Sequence, residues 1–352
     1  VLESKSEPEQ KKNIALLLDV VKMQASMKQN YDQLKTLQSS NGGFVWFQGG
    51  PDDRYMTQYI ISGIGQLMKL KALDQDQALQ MEQIIQTAIP YLDKKIQQDY
   101  EQLLQQKTDL KTYAPNAIAI HYLYMRSFFK HIAVPAATAK AIRFYTERSA
   151  QSWLSQSKYL KGMTALTAFR NQDLKTAKNI LASLKETALQ SEELGMYWKT
   201  TPSWWWYENT IATQSLLIEA FHEIEGDGET VNKLQTWLLK NKQTNRWEST
   251  KATASACYAL LMPGTNLLGP DPEVQIRLDK QWIKSSDQDQ EAGTGYFKKT
   301  IDGPAVKPEM GNIQIQINAD SQKKSGNSWG SIYWQYFEDL DKITFAQTPL
   351  KL

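Results

Sequence analysis

The side chains of this 352-residue chain that could do chemistry are few and scattered. Cys257 is the single cysteine, which excludes an intramolecular disulfide framework and a cysteine-based zinc site. It stands in Ala254-Ser-Ala-Cys-Tyr-Ala-Leu260, an apolar helical stretch where a small buried thiol is ordinary, so it reads as core and not as a nucleophile. His121, His131 and His222 are too few and too far apart for a metal cluster, and His121 in Ile120-His-Tyr122 reads as a satisfied histidine on a packed helix. Asp52, Asp53 and Glu208 are the acids nearest the aromatic loops, and two carboxylates facing each other across a cleft are what glycoside hydrolysis requires. The favoured reading is plainer: Asp52 and Asp53 follow Pro51 in a turn and cap the helix behind it. No Gly-x-Ser-x-Gly elbow, phosphate-cradling loop with lysine or His-Glu-x-x-His is present, so no catalytic, cofactor-binding or metal-ligating residue is expected.

Aromatic side chains are the more unusual feature. Three adjacent tryptophans in Trp204-Trp-Trp-Tyr-Glu-Asn209 cannot all enter one core, so at least one belongs to a surface, a cleft or a domain seam. Together with Trp46, Arg54 and Tyr55, the residues Trp204, Trp205, Trp206, Tyr207 and Glu208 form the expected interaction surface.

The elements that must position these residues are mostly helices. Between 11 and 37, Ile14, Leu17, Val20, Met23, Met27, Tyr31 and Leu34 recur every three or four residues, one stripe of an amphipathic helix. Similar spacing predicts helices over 55–70, 74–107 (bent or split at Pro90), 114–130, 135–155, 162–169, 173–184, 211–224, 230–241 and 250–262. A weak repeat runs through them: a Gly or Asn turn, a Trp, then a helix opening with small residues and Thr, at 43–59, 195–215 and 245–254. In that pattern the small residues let helices approach and the Trp fills the space above. Repeated helical hairpins of this length predict a ring, an α/α toroid, over 1–265. After Pro263-Gly264 the period changes to two, in 274–278 and in Ile313, Ile315 and Ile317, with a last aromatic strand expected at 331–337. Residues 266–352 are therefore expected to form a small β domain or part of one.

Composition bounds the partners. Lys plus Arg is 40 against Asp plus Glu at 38, a formal charge of +2, so no global field recommends nucleic acid. No apolar run approaches the roughly 20 residues needed to span a bilayer. The chain starts at Val1 with a polar decapeptide, which reads as a piece of a longer protein whose targeting signal lies upstream.

The segment Asn41-Gly-Gly-Phe-Val-Trp-Phe-Gln-Gly-Gly-Pro-Asp-Asp-Arg-Tyr-Met-Thr-Gln-Tyr-Ile60 resembles the bacterial α2-macroglobulin family, in the helical domain related to the thioester-containing domain of complement components. The stretch 237–254 resembles a second part of that domain, and 295–312 with 329–337 is similar to the β segment that follows it in large Bacteroidetes-type members. The resemblance implies a non-enzymatic helical scaffold in a broad endopeptidase inhibitor of the bacterial envelope or cell surface, with proteases and other domains of the same protein as partners and no cofactor. In thioester-bearing members a Cys-x-Glu-Gln motif bonds covalently to the trapped target; that motif is absent here, and Cys257 lacks the Glu-Gln, so no thioester role passes to it. The alternative is an α/α-toroid enzyme acting on carbohydrate, with Asp53 or Glu208 as acid and tryptophans as sugar platforms. A terpene-cyclase-like toroid is weaker still, because Pro51-Asp-Asp-Arg54 is not the acidic cluster it needs.

Overall fold

The structure, a computed structural model, describes residues 25–191, 194–199, 209–241, 247–263, 273–288, 297–318, 330 and 332–335. The chain divides into two compact units, one of Gln24–Gly264 and one that takes in Val1–Met23 and Thr265–Leu352.

The larger unit is built from helical hairpins. Helix α1 covers 25–36, and it is followed by α2 (Arg54–Lys69), α3 (Gln75–Gln105), α4 (Ala117–Arg126), α5 (Ala136–Ser152), α6 (Lys158–Arg170), α7 (Leu174–Glu186), α8 (Thr210–Ile224), α9 (Gly228–Lys240) and α10 (Thr250–Leu261). Helices α2, α4, α6, α8 and α10 each pack on the next of their own kind, while α3, α5, α7 and α9 lie outside them. Contacts between α2 and α4 step in register from Gln58 with Ile118 to Ser62 with His121 and Gln66 with Tyr124, so these inner helices run parallel. The last inner helix returns to the first: Lys251 of α10 donates to the Tyr55 hydroxyl of α2 at 3.1 Å. This closes the ring expected from the repeated hairpins.

Side-chain caps explain where the inner helices start. The inner helices are capped by Asp53, Asn116, Ser157, Asn209 and Ser249, each accepting a first-turn backbone N–H. Helix α3 opens with a reciprocal capping box between Asp74 and Gln77. Pro90 does not split α3 as the sequence suggests; the helix runs through it. Pro90 lies on the exposed face, where water can take up the Gln86 carbonyl that proline leaves unpaired.

The core forms two apolar clusters, one where α6–α10 meet and one where α1–α5 meet. The most hydrophobic inner helix, α8, buries all but three of its fifteen residues. Cys257 departs from its expected place: it is exposed. Ala252, Ala256 and Ala259 are the α10 side chains that enter the core, and the 100° step per residue turns position 257 away from them.

Two short antiparallel pairs, which no sequence period announced, precede inner helices: β1 (Phe44–Val45) with β2 (Asp52–Asp53), and β3 (Leu189–Ser191) with β4 (Gly195–Tyr197). Each rests against an outer helix through a glycine in the left-handed region. A Cβ on Gly42 (φ +94) would lie 2.1 Å from the Thr87 carbonyl oxygen, and one on Gly195 (φ +76) would lie 2.2 Å from that of Lys233.

In the second unit, β5 (Glu273–Leu278) is central between β6 (Gln281–Lys284) and β7 (Ile313–Asn318), all antiparallel. A two-residue turn with Asp279 at φ 53 joins β5 to β6. One face of the sheet gathers Val274, Ile276, Leu278, Ile283, Ile313, Ile315 and Ile317, as the period of two predicts. Residues 332–335 are not in a strand, and the rest of the expected aromatic strand lies outside the described residues.

Candidate functional site

The axis of the ring is where side chains from all five inner helices converge, so any chemistry would sit there or at its two mouths. At the mouth formed by the inner-helix N-termini lie three of the sequence-predicted surface residues. Trp46, in the β1–β2 loop, is 53% exposed, and its neighbour Phe47 is 66% exposed. Arg54 turns inward instead: Nη1 pairs with Asp99 at 2.5 Å, and Nε donates to Gln58 Oε1 at 3.1 Å. Tyr55 stacks on Tyr59, tilts against His121 at 5.3 Å and takes a hydrogen bond from Lys251. Trp204, Trp205, Trp206, Tyr207 and Glu208 lie outside the described residues.

The carboxylates at this mouth are committed to structure. Asp53 accepts the Met56 N–H at 2.6 Å as the cap of α2. Asp52 accepts from Asn41 and Ser39, whose hydrogen bonds hold its carboxyl below the usual range. Asp53 is therefore not a free acid for hydrolysis.

His121 and Ser62 resemble a base and nucleophile, but their protons run the wrong way. The Gln58 amide is oriented by two neighbours, with Oε1 accepting from Arg54 and Nε2 donating to the Ile118 carbonyl at 3.1 Å. That leaves Gln58 Nε2 donating also to His121 Nδ1 at 3.2 Å, so the imidazole proton sits on Nε2, facing Ser62 Oγ at 3.3 Å. Ser62 gives its own proton to the Gln58 carbonyl at 2.8 Å. Such a histidine cannot take a proton from Ser62. Burial, joined by the charge of Lys251, pushes its protonation down to about 3.

Deeper along the axis lies a feature that the sequence did not disclose. Glu219 of α8, fully buried, is met by one side chain from each of the other four inner helices. Arg170 Nη2 of α6 lies at 2.6 Å, the Tyr124 hydroxyl of α4 at 2.6 Å, the Tyr258 hydroxyl of α10 at 3.0 Å and Lys69 Nζ of α2 at 3.5 Å. Arg170 and Lys69 also bind Glu223, one turn on. The centre of the ring is thus filled by two cations, two carboxylates and two phenols in mutual contact. Burial, reinforced by the neighbouring carboxylate, pushes both phenols upward, so they act as donors and not as acids. The one sequence signal for this hub was an acid inside Leu216-Leu-Ile-Glu-Ala-Phe221, where a charge needs partners to be buried.

At Glu223 burial acts to raise the carboxyl, but the hydrogen bonds and charge of Arg170, with Lys69, more than offset it and hold the group down to about 2, against an ordinary 4.5. The folded value lies below the unfolded one, so this group stabilises the fold above about pH 4.5 and loses that contribution as pH falls toward 2. The full contribution is about 3 kcal/mol. Urea midpoints at pH 7, 4 and 2.5 are expected to fall steeply for the native chain and more shallowly for Glu223→Gln. Equal slopes would remove Glu223 from the hub.

The repeat seen in the sequence has a matching structural role. Trp198 and Trp247 are buried, and each indole N–H donates to a last-turn carbonyl of the preceding outer helix: Leu184 at 2.8 Å for α7 and Leu238 at 2.9 Å for α9. The recurring Thr accepts a loop N–H: Thr57 from Phe44 at 2.8 Å, and Thr253 from Trp247 at 3.2 Å. In the first unit the buried aromatic is Phe44 and not Trp46, which the repeat would have placed inside.

No group of histidines, cysteines and acids among the described residues could hold a metal ion. None of the described helices is long and apolar enough to cross a membrane.

No family model matches the chain, and no curated protein does. Similar solved structures include native α2-macroglobulin from Escherichia coli, spanning domain MG7 to the C-terminus, at 14% identity and a TM-score of 0.43. They also include the native conformation of the E. coli protein (15% identity, TM-score 0.43) and its trypsin-activated form (14% identity, TM-score 0.39). These alignments cover 75%, 75% and 74% of this chain but 38%, 15% and 16% of the respective partners, so the chain spans well under half of each. A likeness this distant transfers neither activity nor partners.

Proposed function

We propose that this chain is a non-catalytic helical scaffold, with part of the adjoining β unit, in an α2-macroglobulin-like protease trap of the bacterial envelope. The observation that carries the scaffold half of this reading is that, among the described residues, Asp53, His121 and Glu219 along the ring axis already serve as a cap, a locked tautomer and a paired charge. Asp53 caps α2, His121 is held as a donor to Ser62, and Glu219 is enclosed by Arg170, Lys69, Tyr124 and Tyr258. The family half rests on the resemblance of 41–60 and 237–254. The partners in this reading are proteases, met through the whole protein, and other domains of the same polypeptide. Trp46 and Phe47 at the N-terminal mouth offer an exposed aromatic contact for such a domain.

The test uses the full-length parent beside the isolated chain. Mixed with trypsin, the parent is expected to suppress cleavage of a large protein substrate while sparing a small peptide substrate, and the isolated chain to do neither. Methylamine uptake is expected to be absent from the isolated chain, which has no Cys-x-Glu-Gln. A parent that leaves protein digestion unchanged, or an isolated chain that hydrolyses glycans, would overturn the reading.

A further inference from the structure

At the opposite mouth, where the inner helices end, a cleft of about 570 Å3 opens among the ends of α2, α6 and α8 and the loop after α4. It is open to solvent on one side, so a ligand there would rest against one wall. Phe128, Phe169 and Met68 supply its apolar lining, beside the charged side chains of Lys69, Arg170 and Glu223. Phe128 is wedged against α2 so closely that a Cβ on Gly65 would lie 2.7 Å from its ring, and the Arg170 guanidinium covers it at 4.1 Å.

The loop that forms the rim is held in place. Arg126, buried and paired with Asp93 at 3.2 Å, donates to the Phe129 carbonyl and, at 2.8 Å, to the Ile132 carbonyl. This anchors the turn that presents Lys130 and His131 outward over the cleft. The other two cations of the wall are accounted for, since Lys69 and Arg170 are matched by Glu219 and Glu223. Lys130, largely exposed, has no carboxylate partner among the described residues, and slight desolvation together with the nearby Arg170 charge lowers its basicity. An anion beside it would relieve that repulsion.

We infer that this cleft binds a monocarboxylate carried on an aromatic or branched aliphatic body, the carboxylate at Lys130 and the apolar body against Phe128, Phe169 and Met68. Two sources share that chemistry, a free small acid and the C-terminus of a peptide with a large apolar last residue. A rigid loop, one uncompensated cation and an apolar wall are the elements such a ligand requires.

The experiment is calorimetric titration of the full chain with 3-phenylpropionate, with acetyl-Gly-Gly-Phe, and with the C-terminal amide of the same peptide. Saturable binding of at least one acid is expected, weakened about tenfold by Lys130→Ala and unaltered by Lys140→Ala, which sits elsewhere over Tyr100. The amide is expected to bind about tenfold more weakly than its acid. Binding of the free acid alone, or of the peptide alone, identifies the source and supports the inference. No saturable binding of either acid overturns it, as does binding indifferent to Lys130→Ala or to amidation. The exposed position of Lys130 leaves folding intact, checked by an unchanged thermal midpoint.

Discussion

Glu219→Ala is expected to destabilise the helical unit by about 4 kcal/mol, because it leaves two buried phenols without an acceptor and a buried guanidinium with one carboxylate in place of two. The removed carboxylate is the one group that Arg170, Lys69, Tyr124 and Tyr258 share, so its loss leaves four donors from four helices facing a void. Arg170 retains Glu223, which limits the loss, but the two phenols retain no acceptor within the hub. Glu219→Gln keeps the shape and one acceptor oxygen and is expected to cost about half as much. Against total domain stabilities of about 5–15 kcal/mol, the alanine variant should be close to unfolding. Chemical denaturation of both variants decides the matter. An alanine variant within 1 kcal/mol of the native chain, on the order of an exposed ion pair, would mean that the hub is ornamental to stability.

Trp247→Ala and Trp198→Ala should each cost about 3–5 kcal/mol, since each empties a large buried site. The phenylalanine variants separate packing from hydrogen bonding: most of the volume stays, but the Leu238 or Leu184 carbonyl loses the indole N–H that capped its helix. A residual cost of about 1–2 kcal/mol is expected for each. Trp46→Ala, at the exposed position of the first unit, should lie within about 0.5 kcal/mol of the native chain. If Trp46→Ala were as damaging as Trp247→Ala, the structural equivalence of Phe44 with the buried tryptophans would be wrong.

The helices were legible because a period near 3.6 needs only a dozen residues to declare itself, and α2, α7 and α9 each carry a clean apolar stripe. The tail strands β5 and β7 were legible by alternation, whereas β6 was not: Gln281-Trp-Ile-Lys284 is too short to show a period. The pairs β1–β2 and β3–β4 escaped for the same reason, though of the glycines that seat them Gly195 opens one repeat unit and Gly42 directly precedes another. Asp52 and Asp53 are both expected from sequence to cap the helix after the turn; Asp53 does, while Asp52 instead accepts from Ser39 and Asn41. The hub did not follow from anything local. Lys69, Tyr124, Arg170, Glu219 and Tyr258 are spread over nearly 200 positions, and apart from Glu219 in its apolar run each alone reads as an ordinary helix residue. Only ring closure brings them together. Cys257 was misplaced because an apolar neighbourhood in sequence does not say which side of a helix faces inward.

Five inner helices close on Glu219 and are expected to behave as one cooperative ring. Native-state hydrogen exchange in increasing urea tests it most directly, by comparing amides of α2, α4, α6, α8 and α10. Protected amides in all five helices are expected to converge on one opening free energy, and Glu219→Gln to lower all five together. Exchange of α10 or α2 through a separate, lower-energy opening, with the rest unaffected by Glu219→Gln, would contradict it.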